Sequence, residues 1–227
     1  MSEYNNISVS IYDSLHSQKD YSGEVDYVID LDPVQTKVLD IGCGTGSHLQ
    51  EFCKRGYEVH GVDPSSSMIE IARDKLQKYN PHLIIGTVSD ISVRVPLVVS
   101  LFNVINHIRD MKELKSFVES VSLKLESSGI FVFDCFNHDA FVEDEPREVY
   151  TPELTLIPET DYTNNTMKLN GIFRETPYTV THKIWTNEEL ETVLSSVGFY
   201  YKVYKSFSDQ IATSSDYKVT YVCEGPK

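Results

Sequence analysis

Residues 38–46 read Val-Leu-Asp-Ile-Gly-Cys-Gly-Thr-Gly, and the next apolar run reads Val59-His-Gly-Val-Asp63-Pro64. The first stretch is a β run that breaks into three alternating glycines, Gly42, Gly44 and Gly46. Glycine tolerates positive φ and lets backbone approach a ligand with no Cβ in the way. The second stretch is another β run, ending in a carboxylate. An acid at the end of the second strand of a βαβ unit can accept from both hydroxyls of a ribose. Together the two stretches describe a site for an adenosine-containing cofactor.

The spacing narrows the choice of cofactor. A dinucleotide fingerprint is G-x-G-x-x-G, whereas Ser47 stands here where its third glycine belongs. A pyrophosphate needs the donors of a helix N-terminus beside the glycine loop. Asp40, two residues before the loop, repels phosphate and suits a cation. S-adenosylmethionine carries an ammonium and a sulfonium and has no phosphate. Val38–Gly46 resembles motif I of the class I S-adenosylmethionine-dependent methyltransferases, and Val59–Pro64 resembles their acidic motif II.

Composition bounds the rest. The chain has 227 residues, 41% hydrophobic and 24% charged, enough for one α/β domain with a small appendage. No apolar run approaches the ~20 residues needed to span a bilayer, and the N-terminus lacks the pattern of a secretion signal. A cytoplasmic protein with no membrane partner is therefore expected. Cys43, Cys53, Cys135 and Cys223 show no metal-ligand spacing, so reduced thiols and no metal are expected. Lys and Arg number 20 against 34 Asp and Glu, a formal charge of −14. That balance speaks against a nucleic-acid partner, which needs a basic stripe. A small-molecule acceptor is expected, on a monomer or homodimer.

Strands and helices alternate after residue 36. Strands are expected at Val38–Ile41, Tyr57–Val62, His82–Ile85, Leu97–Phe102 and Ile130–Asp134. Helices are expected around Glu24–Leu31, at His48–Arg55 with Gly56 as its stop, at Met68–Tyr79 after a serine cap, and at Asp110–Glu126. Residues 136–184 lack helical period and alternate like strands in parts. A helix at Asn187–Val197, stopped by Gly198, precedes strands at Tyr200–Ser206 and Lys218–Cys223. This is the pattern of an α/β, doubly wound, Rossmann-like sheet of seven strands with a small β-rich insertion. The expected divisions are an N-terminal lid segment 1–36, a cofactor-binding domain 37–135 with 186–227, and an acceptor-side insertion 136–185. The family resemblance implies that the final strand runs antiparallel.

The resemblance also assigns roles. Asp63 would take the ribose, Met68 would pack on adenine, and Gly42, Cys43, Gly44, Gly46 and Pro64 would line the cofactor. Asp40 would reach its ammonium directly or through water. Thr87, Val88 and Ser89 fall where the family supplies adenine contacts, with Thr87 in place of the usual acid. The segment Ser100-Leu-Phe-Asn-Val-Ile-Asn-His107 resembles the fourth-strand end of small-molecule methyltransferases, including deoxysugar N-methyltransferases. Leu101 and Phe102 would border the cofactor there, and Asn103, Asn106 and His107 the acceptor. Tyr12-Asp-Ser-Leu-His16 and Lys19-Asp-Tyr21-x-x-Glu24 resemble an N-terminal element of sugar and glycine N-methyltransferases that folds over the cofactor. Tyr12 and Tyr21 are its candidate contacts. His182 lies in Val180-Thr-His182, before the returning helix, in a pattern similar to small methyltransferases. His107, His182 and Tyr12 are the candidate catalytic residues.

The implied activity is methyl transfer to nitrogen or oxygen of a small molecule, such as a nucleotide-linked deoxy or amino sugar. The alternatives are an NAD-dependent oxidoreductase and a non-catalytic S-adenosylmethionine-binding module.

Overall fold

The computed structural model describes residues 9–32, 34–143, 149–150 and 153–226. Residues 1–8 of the expected N-terminal segment, and 144–148 and 151–152 of the expected insertion, lie outside them.

Helices α1 (Val9–Leu15) and α2 (Tyr21–Leu31) precede the alternating units. These run β1 (Lys37–Ile41), α3 (Ser47–Lys54), β2 (Glu58–Asp63), α4 (Ser66–Leu76), β3 (His82–Ile85), β4 (Val95–Ser100), α5 (Met111–Ser122) and β5 (Leu125–Phe136). Then come α6 (His138–Glu143), β6 (Val149–Tyr150), β7 (Leu154–Asp161), β8 (Thr166–Phe173) and β9 (Thr176–Lys183). The chain closes with α7 (Asn187–Val197), β10 (Tyr200–Lys205) and β11 (Lys218–Glu224). One sheet has seven strands in the order β10-β11-β5-β4-β1-β2-β3. Strands β1 to β5 are parallel, and β11 runs antiparallel between β5 and β10. The expected fold class stands, including the antiparallel strand. A second, antiparallel sheet, β6-β7-β8-β9, is inserted between β5 and α7.

The central strands are buried on both faces because helices cover both, as parallel sheets require. Leu39, Val98, Phe131, Phe133 and Tyr221 pack on one face with Leu114, Val118, Leu190 and Trp185. Val38, Leu97, Val99 and Val132 pack on the other with Val25, Leu49, Phe52 and Ile69. Local signals set the helix starts. Asp20, Ser65, Asp110 and Thr186 each cap a helix through the side chain.

Several boundaries differ from the sequence expectation. Helix α5 ends at Ser122, because Leu125 is drawn into β5 by pairing with Val95. β5 is correspondingly longer than Ile130–Asp134. The chain after α4 tightens to a 3-10 turn over Gln77–Tyr79. β4 stops at Ser100 rather than Phe102. Helices α1 and α6 were not expected; both are short, and such helices depend on tertiary contacts rather than on periodicity.

The inserted sheet is fastened at the carboxyl edge of the main one. Asn106, in a 3-10 turn after β4, donates from Nδ2 to Lys183 O at 2.7 Å. Its Oδ1 accepts from Phe136 N at 3.2 Å. Trp185 Nε1 donates to Ile105 O at 3.1 Å. Asn106 is fully buried, so its amide ties β9, β4 and β5 together. Asn106→Ala orphans one buried backbone group, Phe136 N, at about 1–3 kcal/mol, and the half-buried Lys183 O at less. Urea unfolding should therefore show a clear loss of stability. An unchanged midpoint would mean that the asparagine does not hold the sheets together.

Candidate active site

The glycine turn is built at the carboxyl ends of β1 and β2. Gly42 N and Cys43 N donate to Val62 O at 2.8 and 3.2 Å, which pins the turn to β2. Gly44 N donates to Asp63 Oδ2 at 2.9 Å, and Ser65 N donates to Asp63 Oδ1 at 2.8 Å. One carboxylate therefore bridges the glycine turn and the start of α4. Burial pushes the Asp63 carboxyl up, while the two backbone donors and His107 pull it back. The glycines do different work. Gly46 has φ 77°, and a Cβ there would stand 3.2 Å from Ala72 Cβ, so it lets α3 pack on α4. Gly44 has φ 53°, and a Cβ there would meet nothing within 4 Å among the described residues. The turn is open on that side.

Asp40 lies beside this cradle, 1% exposed, and its Oδ2 has no hydrogen-bond partner among the described residues. Burial raises its carboxyl to about 7; His48 opposes the shift and Asp63 adds to it. A buried acceptor left unpaired is costly, so it marks a place where a donor belongs. His48 Nε2 stands 2.8 Å from Glu24 Oε2, Lys19 ion-pairs with Glu24, and the Tyr21 ring stacks edge-on to His48 at 4.8 Å. Burial raises the Tyr21 phenol to about 12.

The far end of the cradle is less committed. Thr87 caps a 3-10 turn over Val88–Asp90 through a reciprocal pair with Asp90. Val88 is buried, while Thr87 and Ser89 are exposed, with Ser89 Oγ 3.4 Å from Ser120 Oγ. Met68 is 2% exposed, and Pro64 is exposed.

On the other side, β4 gives way to two consecutive non-glycine residues at positive φ, Phe102 (72°) and Asn103 (59°). Such backbone is held only where the surroundings demand it. The demand comes from Asp134, buried at the end of β5, whose Oδ1 accepts from both Phe102 N and Asn103 N. Burial raises the Asp134 carboxyl and Lys218 opposes the rise. The Lys218 ammonium lies 5.4 Å from the Phe102 ring and 5.3 Å from that of Phe136. Leu101 is buried beneath, and Asn103 Oδ1 is a second buried acceptor without a partner among the described residues.

Helix α1 closes over this turn. Tyr12 meets His16 at 4.6 Å and His16 meets Phe102 at 4.7 Å, each edge-on. Asp13 bonds to Thr45 Oγ1 at 2.5 Å and to Lys75 Nζ at 2.8 Å, which fastens α1 to the glycine turn and α4. His107 and His182 come together with ring centroids 4.9 Å apart, and His182 also meets Phe136 at 5.3 Å. Burial lowers His107 to about 4, against the pull of Asp63. Burial, then His107 and the cations Lys218 and Arg109, lower His182 to about 3. Both imidazoles are neutral at neutral pH.

The structure thus gathers Tyr12, Tyr21, Asp40, the glycine turn, Asp63, Phe102, Asn103, His107 and His182 around the carboxyl ends of β1, β2 and β4. It commits the amide of Asn106 to the scaffold. Sequence reasoning passed over Lys218 and His48, and placed the segment Phe131–His138 at the acceptor pocket without singling out Asp134. A lone acid inside the apolar run Phe131-Val-Phe-Asp134-Cys-Phe136 was the available signal for Asp134.

Residues 38–129 match the family model described as a methyltransferase domain. An N,N-dimethyltransferase of Streptomyces venezuelae, named for dTDP-3-amino-3,4,6-trideoxy-alpha-D-glucopyranose, is 31% identical over 122 residues, 51% of each chain. The chain spans about half the length of the curated relatives it matches. Among solved structures, an S-adenosylmethionine-dependent methyltransferase from Clostridium acetobutylicum superposes with TM-score 0.83 at 19% identity, over 96% of this chain and 97% of that one. An amino pentose methyltransferase from Micromonospora echinaspora, solved with S-adenosylmethionine bound, does so with TM-score 0.75 at 20% identity, over 99% of both. The glycine turn and Asp63 fall inside the matched segment.

The buried His182 and the half-buried His16 and His107 make stability depend on pH. His16, His107 and His182 have folded values near 4, 4 and 3 against 6.5 when unfolded. The unfolded chain binds more protons in this window. Their contribution is therefore complete above pH 6.5 and is lost as pH falls toward 4. Thermal melts should show His182→Gln declining less steeply than wild type between pH 6.5 and 4. Parallel curves would contradict the burial of a neutral imidazole.

Proposed function

We propose, for a chain that carries a methyltransferase domain with the class I S-adenosylmethionine-dependent fold, that it methylates the amino group of a nucleotide-linked amino sugar. The observation that carries this reading is the cradle around Gly44: an open glycine turn flanked by Asp63 and by a partnerless, buried Asp40 oxygen. When bound, S-adenosylmethionine supplies a sulfonium methyl that an amine lone pair takes as the C–S electrons return to sulfur.

A carboxylate offers about four acceptor positions. Asp63 uses one on each oxygen for Gly44 N and Ser65 N, and one on each remains for the two ribose hydroxyls. Asp40 accepts from the ammonium, directly or through water. Gly42, Cys43, Gly46, Pro64 and Leu101 line the cofactor, Met68, Thr87, Val88 and Ser89 border its adenine, and Tyr12, Tyr21 and Phe102 cover it. A closed, aromatic cover excludes water and suits a sulfonium.

An amine acceptor fits the histidines better than a hydroxyl does. An imidazole held near 3 or 4 is too weak a base to pull a proton from a sugar hydroxyl. A neutral amine attacks without prior help, and His107 and His182 then orient it by accepting its N–H groups, with Asn103 Oδ1 as a further acceptor. Alignment of this kind can supply ~7–11 kcal/mol of barrier reduction. The names of the dTDP-amino sugar relatives support the same acceptor class.

Incubation with S-adenosylmethionine and a set of dTDP-amino sugars should give products with one or two added methyl groups by mass spectrometry. The matching hydroxy sugars should give none. Asp63→Ala should weaken cofactor binding by ~1.5–3 kcal/mol for each charged hydrogen bond lost. Cofactor binding with no turnover on any amine or alcohol would favour the non-catalytic module instead.

Asp40 gives a pH signature. Its carboxyl stands near 7 in the free protein, and a bound ammonium lowers it, so binding releases a proton. Affinity for S-adenosylhomocysteine should then rise from pH 5.5 toward about 7 and level off. In Asp40→Asn the rise should vanish. A wild-type affinity flat across that range would separate Asp40 from the ammonium.

A further inference from the structure

A second cluster stands at the other end of β2. Residues two apart on a strand share a face, so Glu58 and His60 stand side by side. His60 pairs in register with His82 on the neighbouring strand β3. Their rings stack 4.7 Å apart at 11°, and His60 Nε2 lies 2.9 Å from Glu58 Oε1. One ligand atom from each of Glu58, His60 and His82 lies within 4.8 Å of the others.

We propose that Glu58, His60 and His82 form a binding site for a divalent first-row transition-metal ion such as Zn²⁺, which ties β3 to β2. Two neutral imidazoles and a carboxylate are the donor set of Zn²⁺, Co²⁺, Ni²⁺ and Cu²⁺, not of Mg²⁺ or Ca²⁺. Donors at ~2.0–2.2 Å from one ion stand roughly 3–4 Å apart. Small rotations of these surface side chains give that spacing, and water completes the shell. Cysteine spacing, the ground for expecting no metal, says nothing about a Glu-x-His pair on one strand that faces a histidine on the next.

The position gives the ion its task. His60 precedes Asp63 by three residues, about 10 Å of strand, so an ion there does not reach the reacting groups. β3 is the edge strand of the seven-stranded sheet and is thinly covered, with Ile84 and Ile85 38% and 46% exposed. A metal bridge fastens this edge at its start. Lys37 competes for the site, since its Nζ lies 3.1 Å from Glu58 Oε1.

Tag-free protein, stripped with chelator, is titrated with Zn²⁺, Ni²⁺ and Mg²⁺ by calorimetry, with thermal melts in parallel. Zn²⁺ and Ni²⁺ should bind one to one in the micromolar range and raise Tm, because an ion bound only by the folded state stabilises it. Mg²⁺ should do neither. His60→Ala and His82→Ala should each weaken binding at least about tenfold and remove the rise in Tm. Lys37→Gln should tighten it by freeing Glu58. His82 is exposed on the edge strand, so its variant keeps the test open even if His60→Ala fails to fold. Absence of micromolar binding, or wild-type binding in His82→Ala, overturns the proposal.

Discussion

Three aspartates near the ends of parallel strands, the buried Asp40 on β1 and Asp134 on β5 and the half-buried Asp63 on β2, are what the candidate site depends on. A carboxylate in that position cannot be left bare, because burying an unpaired charge is expensive. Two of the three are answered by backbone N–H groups. Asp63 takes those of Gly44 and Ser65 and so sets the path of the glycine turn. Asp134 takes those of Phe102 and Asn103 and holds two side-chain-bearing residues in left-handed backbone. The third, Asp40, keeps an oxygen unanswered. Among the described residues the cradle thus keeps buried side-chain atoms without a partner at Asp40 Oδ2 and, beside the turn after β4, at Asn103 Oδ1 and His182 Nδ1.

The electrostatics of the site differ from those of the surface. The chain carries a formal charge of −14, yet Lys19 and Lys218 converge on the Phe102 ring. Burial, helped by their charge, lowers His16, and burial, then His107 and Lys218, lower His182.

Local sequence carried the parts of the fold that local physics decides. Alternating glycines, the acid ending β2, Ser65 before α4, and Gly198 after α7 each act within a few residues of themselves, and each was readable. What depends on distant partners was not. The apolar run Leu97–Phe102 contains no breaker, and only Asp134, 32 residues on, turns it at Phe102. Leu125 continues a helical period, but pairing with Val95 makes it a strand residue. Asn106 reads as a polar residue at a site, whereas its amide is used by Lys183, 77 residues away. That His107 and His182 share the carboxyl edge of the sheet follows from their places in the chain, whereas their contact at 4.9 Å depends on how the inserted sheet docks.

Calorimetric titration of the wild-type protein with S-adenosylhomocysteine and with NAD tests most directly whether the cradle around Gly44 takes a cationic, phosphate-free cofactor. One-to-one binding of S-adenosylhomocysteine with no measurable heat from NAD is the expected result. Binding of NAD, with S-adenosylhomocysteine giving none, would contradict it.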